Sequence, residues 1–137
     1  MFQIDAMSRQ PVYEQLIDQI EHFILAGLLN PSDKIPSVRN LAVQLSVNPN
    51  TIQKAYSELD RRGIIYSVPG RGCFISDDAH KILSEFKRTR LSDLETLINE
   101  LILAGVTKEE IISCIENIFN KKGDLHDDEG FKYIKVF

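Results

Sequence analysis

Two short runs rich in β-branched and aromatic residues, Ile64-Ile65-Tyr66-Ser67-Val68 and Cys73-Phe74-Ile75-Ser76, stand on either side of Pro69-Gly70-Arg71-Gly72. The glycines permit a tight reversal, so the pattern predicts a β-hairpin with an arginine at its tip. Everything before it has helical period. A set of helices closed by a single hairpin is therefore the frame in which the rest of the chain is read.

Pro11 to Ala26 places Val12, Leu16, Ile17, Ile20, Phe23 and Ile24 at the spacing of an amphipathic helix, with proline in its first turn and Gly27 after its end. Leu28-Leu29-Asn30-Pro31-Ser32-Asp33 is turn chemistry. Ser37 is placed to cap a short second helix running through Leu45, whose inward residues Val38, Leu41, Ala42 and Leu45 turn Arg39 outward. After Ser46 and Val47, Asn48-Pro49 supplies a cap residue followed by proline at the first helical position, a strong start signal for a third helix. Helix, helix, turn, helix and hairpin is the order of a winged helix-turn-helix. In that arrangement the third helix enters a major groove and the hairpin reaches an adjacent backbone or minor groove. Gly70-Arg71-Gly72 lacks the spacing of a phosphate-binding loop and sits between strands, so it is read as a wing.

Charge is unevenly spread. The whole chain carries a formal net charge of -4, yet between Lys34 and Gly72 the bases Lys34, Arg39, Lys54, Arg61, Arg62 and Arg71 face only Glu58 and Asp60. A polyanion responds to such local potential more than to the global sum. On the third helix, Ile52, Ala55, Tyr56 and Leu59 fall on one side and Asn50, Gln53, Lys54 and Ser57 on the other. Short donors without a carboxylate suit base edges and phosphates, because Asn and Gln can pair bidentately with adenine and Lys can reach guanine or a phosphate. A merely solvated face would show the same composition, and the neighbouring elements decide between the two.

The stretch Lys34-Ile35-Pro36-Ser37-Val38-Arg39-Asn40-Leu41-Ala42 resembles the GntR family of bacterial transcription regulators. So do Val47-Asn48-Pro49-Asn50-Thr51-Ile52-Gln53-Lys54-Ala55-Tyr56, Leu59, Gly63 and Gly70-Arg71-Gly72 ahead of Phe74-Ile75. With Pro11-Val12-Tyr13-Glu14-Gln15-Leu16, the resemblance covers most of the first 76 residues. It implies that Arg39, Asn48, Asn50, Thr51, Gln53 and Gly70 touch DNA; Ser37, Lys54 and Arg71 complete the candidate set. There are departures: Val38 stands where many members have Glu, and Pro49 where many have a DNA-contacting Arg. The second leaves Asn50, Gln53 and Lys54 as the specificity candidates. Asn-Pro-Asn-Thr followed by Ala-Tyr looks like the short YtrA-like branch.

From Ala79, apolar residues at Ile82, Leu83, Phe86, Leu91, Leu94, Leu97, Ile98, Leu101 and Ile102 predict one helical stripe ending at Gly105. Thr107 with Glu110 forms a capping box ahead of Ile111, Ile112, Ile115, Ile118 and Phe119, so a second helix follows and the two form a hairpin. This is more apolar surface than one helix pair can bury against itself. A second copy of the chain is the economical partner, with Leu91, Leu94, Leu97, Ile98, Leu101, Ile111, Ile115 and Ile118 at the contact; folding back onto the same subunit is the alternative. The YtrA-like resemblance likewise implies a homodimer, and two-fold symmetry predicts a pseudo-palindromic operator. Cys114 is expected to be a small buried residue on the second helix, and Cys73 to be an ordinary thiol at the wing.

The expected organisation is thus mostly α with a small β-hairpin. A winged helix-turn-helix domain spans 1–78, a two-helix dimerisation hairpin 79–120, and a polar linker with a short tail 121–137. Within that tail, Phe131 to Phe137 has strand-like content, and His126 with Asp127, Asp128 and Glu129 reads as a solvated acidic loop, not a metal site.

No apolar run approaches the roughly 20 residues of a membrane span, and the N-terminus has no signal-peptide pattern. Cys73 and Cys114 form no CxxC and the histidines no metal spacing, so a cytoplasmic setting with no cofactor is expected. No set of nucleophile, base and orienter supports an enzyme. The leading expectation is a homodimeric, sequence-specific binder of double-stranded DNA. It would act as a repressor of a neighbouring operon, such as one encoding a transporter, and be released by a small-molecule effector or another signal. The other class considered is a winged-helix module that binds protein; the donor-rich patch argues against it, since protein interfaces favour aromatic anchors.

Overall fold

The computed structural model describes residues 1–124. The expected strand at Phe131–Phe137 and the acidic group at 126–129 lie outside the described residues. The order is α1 (Val12–Leu25), β1 (Lys34–Ile35), α2 (Val38–Leu45), α3 (Pro49–Arg61), β2 (Ile65–Val68), β3 (Gly72–Ile75), α4 (Ala79–Arg88), α5 (Leu91–Leu103) and α6 (Lys108–Asp124). The winged helix-turn-helix and the C-terminal helical hairpin are both present.

Local chemistry sets the ends of α2 and α3. The Ser37 hydroxyl accepts from Asn40 N at 3.1 Å to start α2, and Ser46 ends it in the left-handed region at φ 54°. Asn48 Oδ1 accepts from Asn50 N at 2.8 Å, with Pro49 in the first turn of α3. α1 and α2 both pack on α3, which also meets β2. The core joins Leu16, Ile20 and Phe23 of α1 to Leu41 of α2, Ile52 and Leu59 of α3, Ile35, Ile64 and Ile75 of the sheet region, and Leu83 of α4. Burying each such side chain contributes about 1.5–3 kcal/mol, which is what holds α3 in place.

The sheet has three strands in the order β1-β3-β2, all antiparallel, so the expected hairpin gains an edge strand. Lys34-Ile35 is too short for a period to show. Its pairing is set by Ile35, which enters the core opposite Cys73, while Lys34 lies opposite Phe74. The N-terminal segment is also built in, which no pattern signalled. Gln15 accepts from Asp5 N and donates to Asp5 O, Gln19 pairs in the same way with the backbone of Gln3, and Phe2 meets Phe23 edge to face. These two buried amides satisfy backbone groups of a segment that belongs to no helix or strand.

The C-terminal region departs from expectation in three places. The single stripe expected from Ala79 is two helices, because the interval from Phe86 to Leu91 is five residues and cannot stay on one face. At the break Thr89 donates both its hydroxyl and its amide to Phe86 O, and Arg90 N bonds Lys87 O, which makes a tight turn before α5 begins. Second, α6 continues to Asp124, so residues 121–124 are helix and not the start of a linker. Third, Cys114 is exposed, because nothing among the described residues covers its face of α6. The reciprocal bonds of the capping box are formed: Thr107 N to Glu110 Oε2 at 2.7 Å and Glu110 N to Thr107 Oγ1 at 3.2 Å. α4 buries Ala79 and Leu83 on the domain, whereas α5 buries no residue. Among the described residues, α5 is thus not packed into the core of the winged domain.

Candidate nucleic-acid interface

Asn48, Asn50, Gln53, Lys54 and Ser57 are exposed along α3, and Thr51 is half-buried beside them. Opposite them Ile52, Ala55, Tyr56 and Leu59 are buried, so the two faces fall where the residue pattern puts them. With Asn48 Oδ1 spent on the cap, its Nδ2 is left to donate outward. Gln53 Nε2 donates to Ser57 Oγ at 3.0 Å, one turn along. The Lys54 ammonium lies 3.9 Å from the centroid of the Tyr13 ring of α1, a cation–π contact that holds it to one side of the stripe.

Electrostatics along α3 change with position. Its first turn carries no acid. Glu58, further along, accepts from Arg61 at 2.5 and 3.0 Å and from Arg62 at 2.9 Å, and these hydrogen bonds hold its carboxyl down to about 2. Arg62 also reaches Glu21 of α1 at 2.9 Å, and Lys87 of α4 approaches the same carboxylate at 3.8 Å. Glu21 is nearly buried, and desolvation raises its pKa in spite of both cations. Arg61, Arg62 and Lys87 are thus engaged within the chain, whereas Lys34, Arg39 and Arg71 form no ion pair among the described residues.

Two further sites complete the surface. Arg39 is exposed in the first turn of α2, next to the Ser37 cap. Gly70 and Arg71 are exposed at the hairpin tip, where Gly70 has φ +78° and so needs glycine. The tip is a separate point of the surface from the first turn of α3, tied to it by a rigid connection. The buried Tyr56 of α3 donates its hydroxyl to Pro36 O at 2.6 Å, next to β1, and β1 pairs with β3 of the wing. Burial, and secondarily Cys73, push the Tyr56 phenol up, so it remains the donor. The tie from Tyr56 to Pro36 and the Lys54–Tyr13 contact were not visible in the sequence, since each joins residues 20 or more apart with no periodic signal.

The dimerisation set lies on α5 and α6. Leu91, Leu94, Leu97, Ile115 and Ile118 are exposed, and Ile98, Leu101 and Ile111 are half-buried. Ile102, Leu103, Ile112 and Phe119 of the same two helices, and Phe86 of α4, are exposed as well. Among the described residues no helix is long and apolar enough to cross a membrane, and no group of metal-binding side chains is present.

A capped helix with an amide-rich outer face, backed by two helices and flanked by a hairpin wing, defines a DNA-binding winged helix-turn-helix protein. The pattern of the family described as "Bacterial regulatory proteins, gntR family" matches residues 12–75, from α1 to the end of the wing. The chain is 45% identical over 119 residues to the HTH-type transcriptional repressor YtrA of Bacillus subtilis (strain 168), covering 86% of this chain and 92% of that one. Among solved structures, a transcriptional regulator from Oenococcus oeni is similar with a TM-score of 0.69 and 36% identity, over 85% of this chain and 97% of that one. A GntR family transcriptional regulator from Listeria monocytogenes gives 0.68 and 36%, over 83% and 98%. The chain belongs to the GntR family and is a DNA-binding transcription regulator, not an enzyme.

Proposed function

We propose that the chain acts as a homodimeric repressor that reads a pseudo-palindromic operator and blocks a nearby promoter, such as that of a transporter operon. The observation that carries the dimer is α5: a helix of 13 residues, rich in Leu and Ile, none of which is buried among the described residues. Water-exposed leucines in this number mark a surface that is covered in use. On this reading the winged domain, 1–78, binds DNA, and the helices α5 and α6 that follow α4 pair with a second copy. The protein works in the cytoplasm, where its DNA is.

Asn50 and Gln53 would reach base edges from the first turns of α3, with Asn48, Thr51 and Lys54 beside them. Ser37, Arg39, Gly70 and Arg71 would fix the domain on the sugar-phosphate backbone. The similarity to a repressor over most of both chains supports the sign of regulation. For an effector, the place best suited is the cleft where α1 meets α4. There a cavity of about 320 Å³ is lined by Gln3, Asp5, Asp18, Glu21, His22, Lys87 and Arg90. A ligand there would act on Glu21 and Lys87, which join the DNA-binding unit to the helix leading into α5.

Selection of bound duplexes from a random pool, followed by footprinting, tests this reading. The expected result is a two-fold site with half-sites about 34 Å, roughly one helical turn, apart. A single unrepeated site, together with a monomeric mass in sedimentation, would refute the dimer.

A further inference from the structure

We infer that Lys34 is a DNA-backbone contact that acts together with the wing, a role set by the edge strand β1. This rests on the DNA-binding reading of the wing and adds to it a residue outside the hairpin.

The register of the sheet fixes which way Lys34 faces. Ile35 and Cys73 are partners and point into the core, so their neighbours Lys34 and Phe74, also partners, lie on the outer face. Tyr66 is the partner of Phe74 on its other side, and the two rings stack with centroids 5.6 Å apart. One row across the sheet therefore runs lysine, phenylalanine, tyrosine. From this position the Lys34 side chain extends toward the wing tip and lies over Gly72. A Cβ at residue 72 would come within 2.9 Å of Lys34 Cε and 3.7 Å of its ammonium nitrogen. Gly72 has φ +119°, so glycine is required there by the backbone as well as by the lysine stem above it.

The ammonium is thereby delivered over Gly72, the residue after Arg71, without a carboxylate to neutralise it, since Lys34 is in no ion pair among the described residues. Its position is also rigidly referred to the recognition helix, because Tyr56 of α3 holds Pro36 two residues further on. A cation seated over Gly72, in a wing whose tip carries the exposed Arg71, adds a positive charge to the side of the molecule that the wing offers to phosphates. Lysine suits this task as a point charge that carries no base preference.

The test is fluorescence-anisotropy titration of the full chain against its selected duplex and a scrambled one, over a range of salt, for wild type, Lys34→Met, Lys34→Arg and Arg71→Met. Met keeps the apolar stem over Gly72 and removes the charge. Lys34→Met, which removes two charges from the dimer, is expected to weaken binding to both duplexes by the same factor and to reduce the slope of log affinity against log salt by about 1.8. The deficit should shrink roughly tenfold between about 50 and 200 mM salt. Lys34→Arg should retain the wild-type slope. An unchanged slope for Lys34→Met overturns the inference, as does a loss confined to the selected duplex or a loss that only follows a lowered Tm. If Arg71→Met reduces the slope and Lys34→Met does not, the wing reading stands and the Lys34 inference alone fails. If neither does, the wing reading fails with it.

Discussion

Asn48 has one duty the structure shows and one proposed for it, and the two can be separated because they use different atoms. Its Oδ1 caps α3 through Asn50 N, and its Nδ2, on an exposed residue, is the atom proposed to donate to DNA. Asp caps as well as Asn and favours the positive end of a helix, but presents a carboxylate to the phosphates. Asn48→Asp is therefore expected to keep stability within about 0.5 kcal/mol in a denaturant titration while strongly weakening DNA binding. Loss of both together would mean that the cap, and not the donor, is what binding needs. Glu58 offers a check by pH. Its pKa is depressed from 4.5 to about 2, so the stability it contributes is present above about 4.5 and is lost as pH falls through about 2. The Tm difference between wild type and Glu58→Gln should accordingly narrow across that window; a difference that stays constant would show that the Arg61 and Arg62 bonds contribute nothing in solution. The exposed amides of α3 were legible in the sequence because helical period alone assigns them a face. Lys54 was only half legible: its exposure follows from the period, but its seat on Tyr13 depends on how α1 packs.

Helices with chemical end signals were the most readable elements. Ser37, Asn48-Pro49 and the Thr107–Glu110 pair each name a terminus, and the structure forms the bond each predicts. Removing one such bond has a known cost, so Ser37→Ala is expected to lower stability by about 1 kcal/mol in urea titration. No change would mean that α2 is held by Leu41 and Ala42 alone. The elements missed were those without a local signal. β1 has two residues and exists only because Ile35 finds the core and β3 offers an edge. The break between α4 and α5 was visible as a five-residue apolar interval, but reading the stripe as a whole hid it. There the Thr89 bonds to Phe86 O close the turn.

At the scale of the whole molecule, a DNA-binding unit with a complete core carries a helical extension whose apolar faces are left open. Cys114 shows why the sequence misleads here: a cysteine among isoleucines implies burial, yet within one chain it is exposed. Its cover, on the proposed reading, is a second subunit. Leu97→Asp, which places a charge on the middle of α5, should convert a dimer to a folded monomer in sedimentation and leave the winged domain's Tm nearly unchanged. A variant that stays dimeric would move the interface elsewhere. The central claim, that the outer face of α3 reads sequence, is tested most directly by anisotropy titration of wild type and an Asn50→Ala, Gln53→Ala double variant. Each is titrated against the selected duplex and its scrambled form at two salt concentrations. Each lost bidentate contact costs about 1–3 kcal/mol of discrimination, so the account predicts that the double variant binds both duplexes nearly equally and keeps the wild-type salt slope. A double variant that still prefers the selected duplex as strongly as wild type would contradict it.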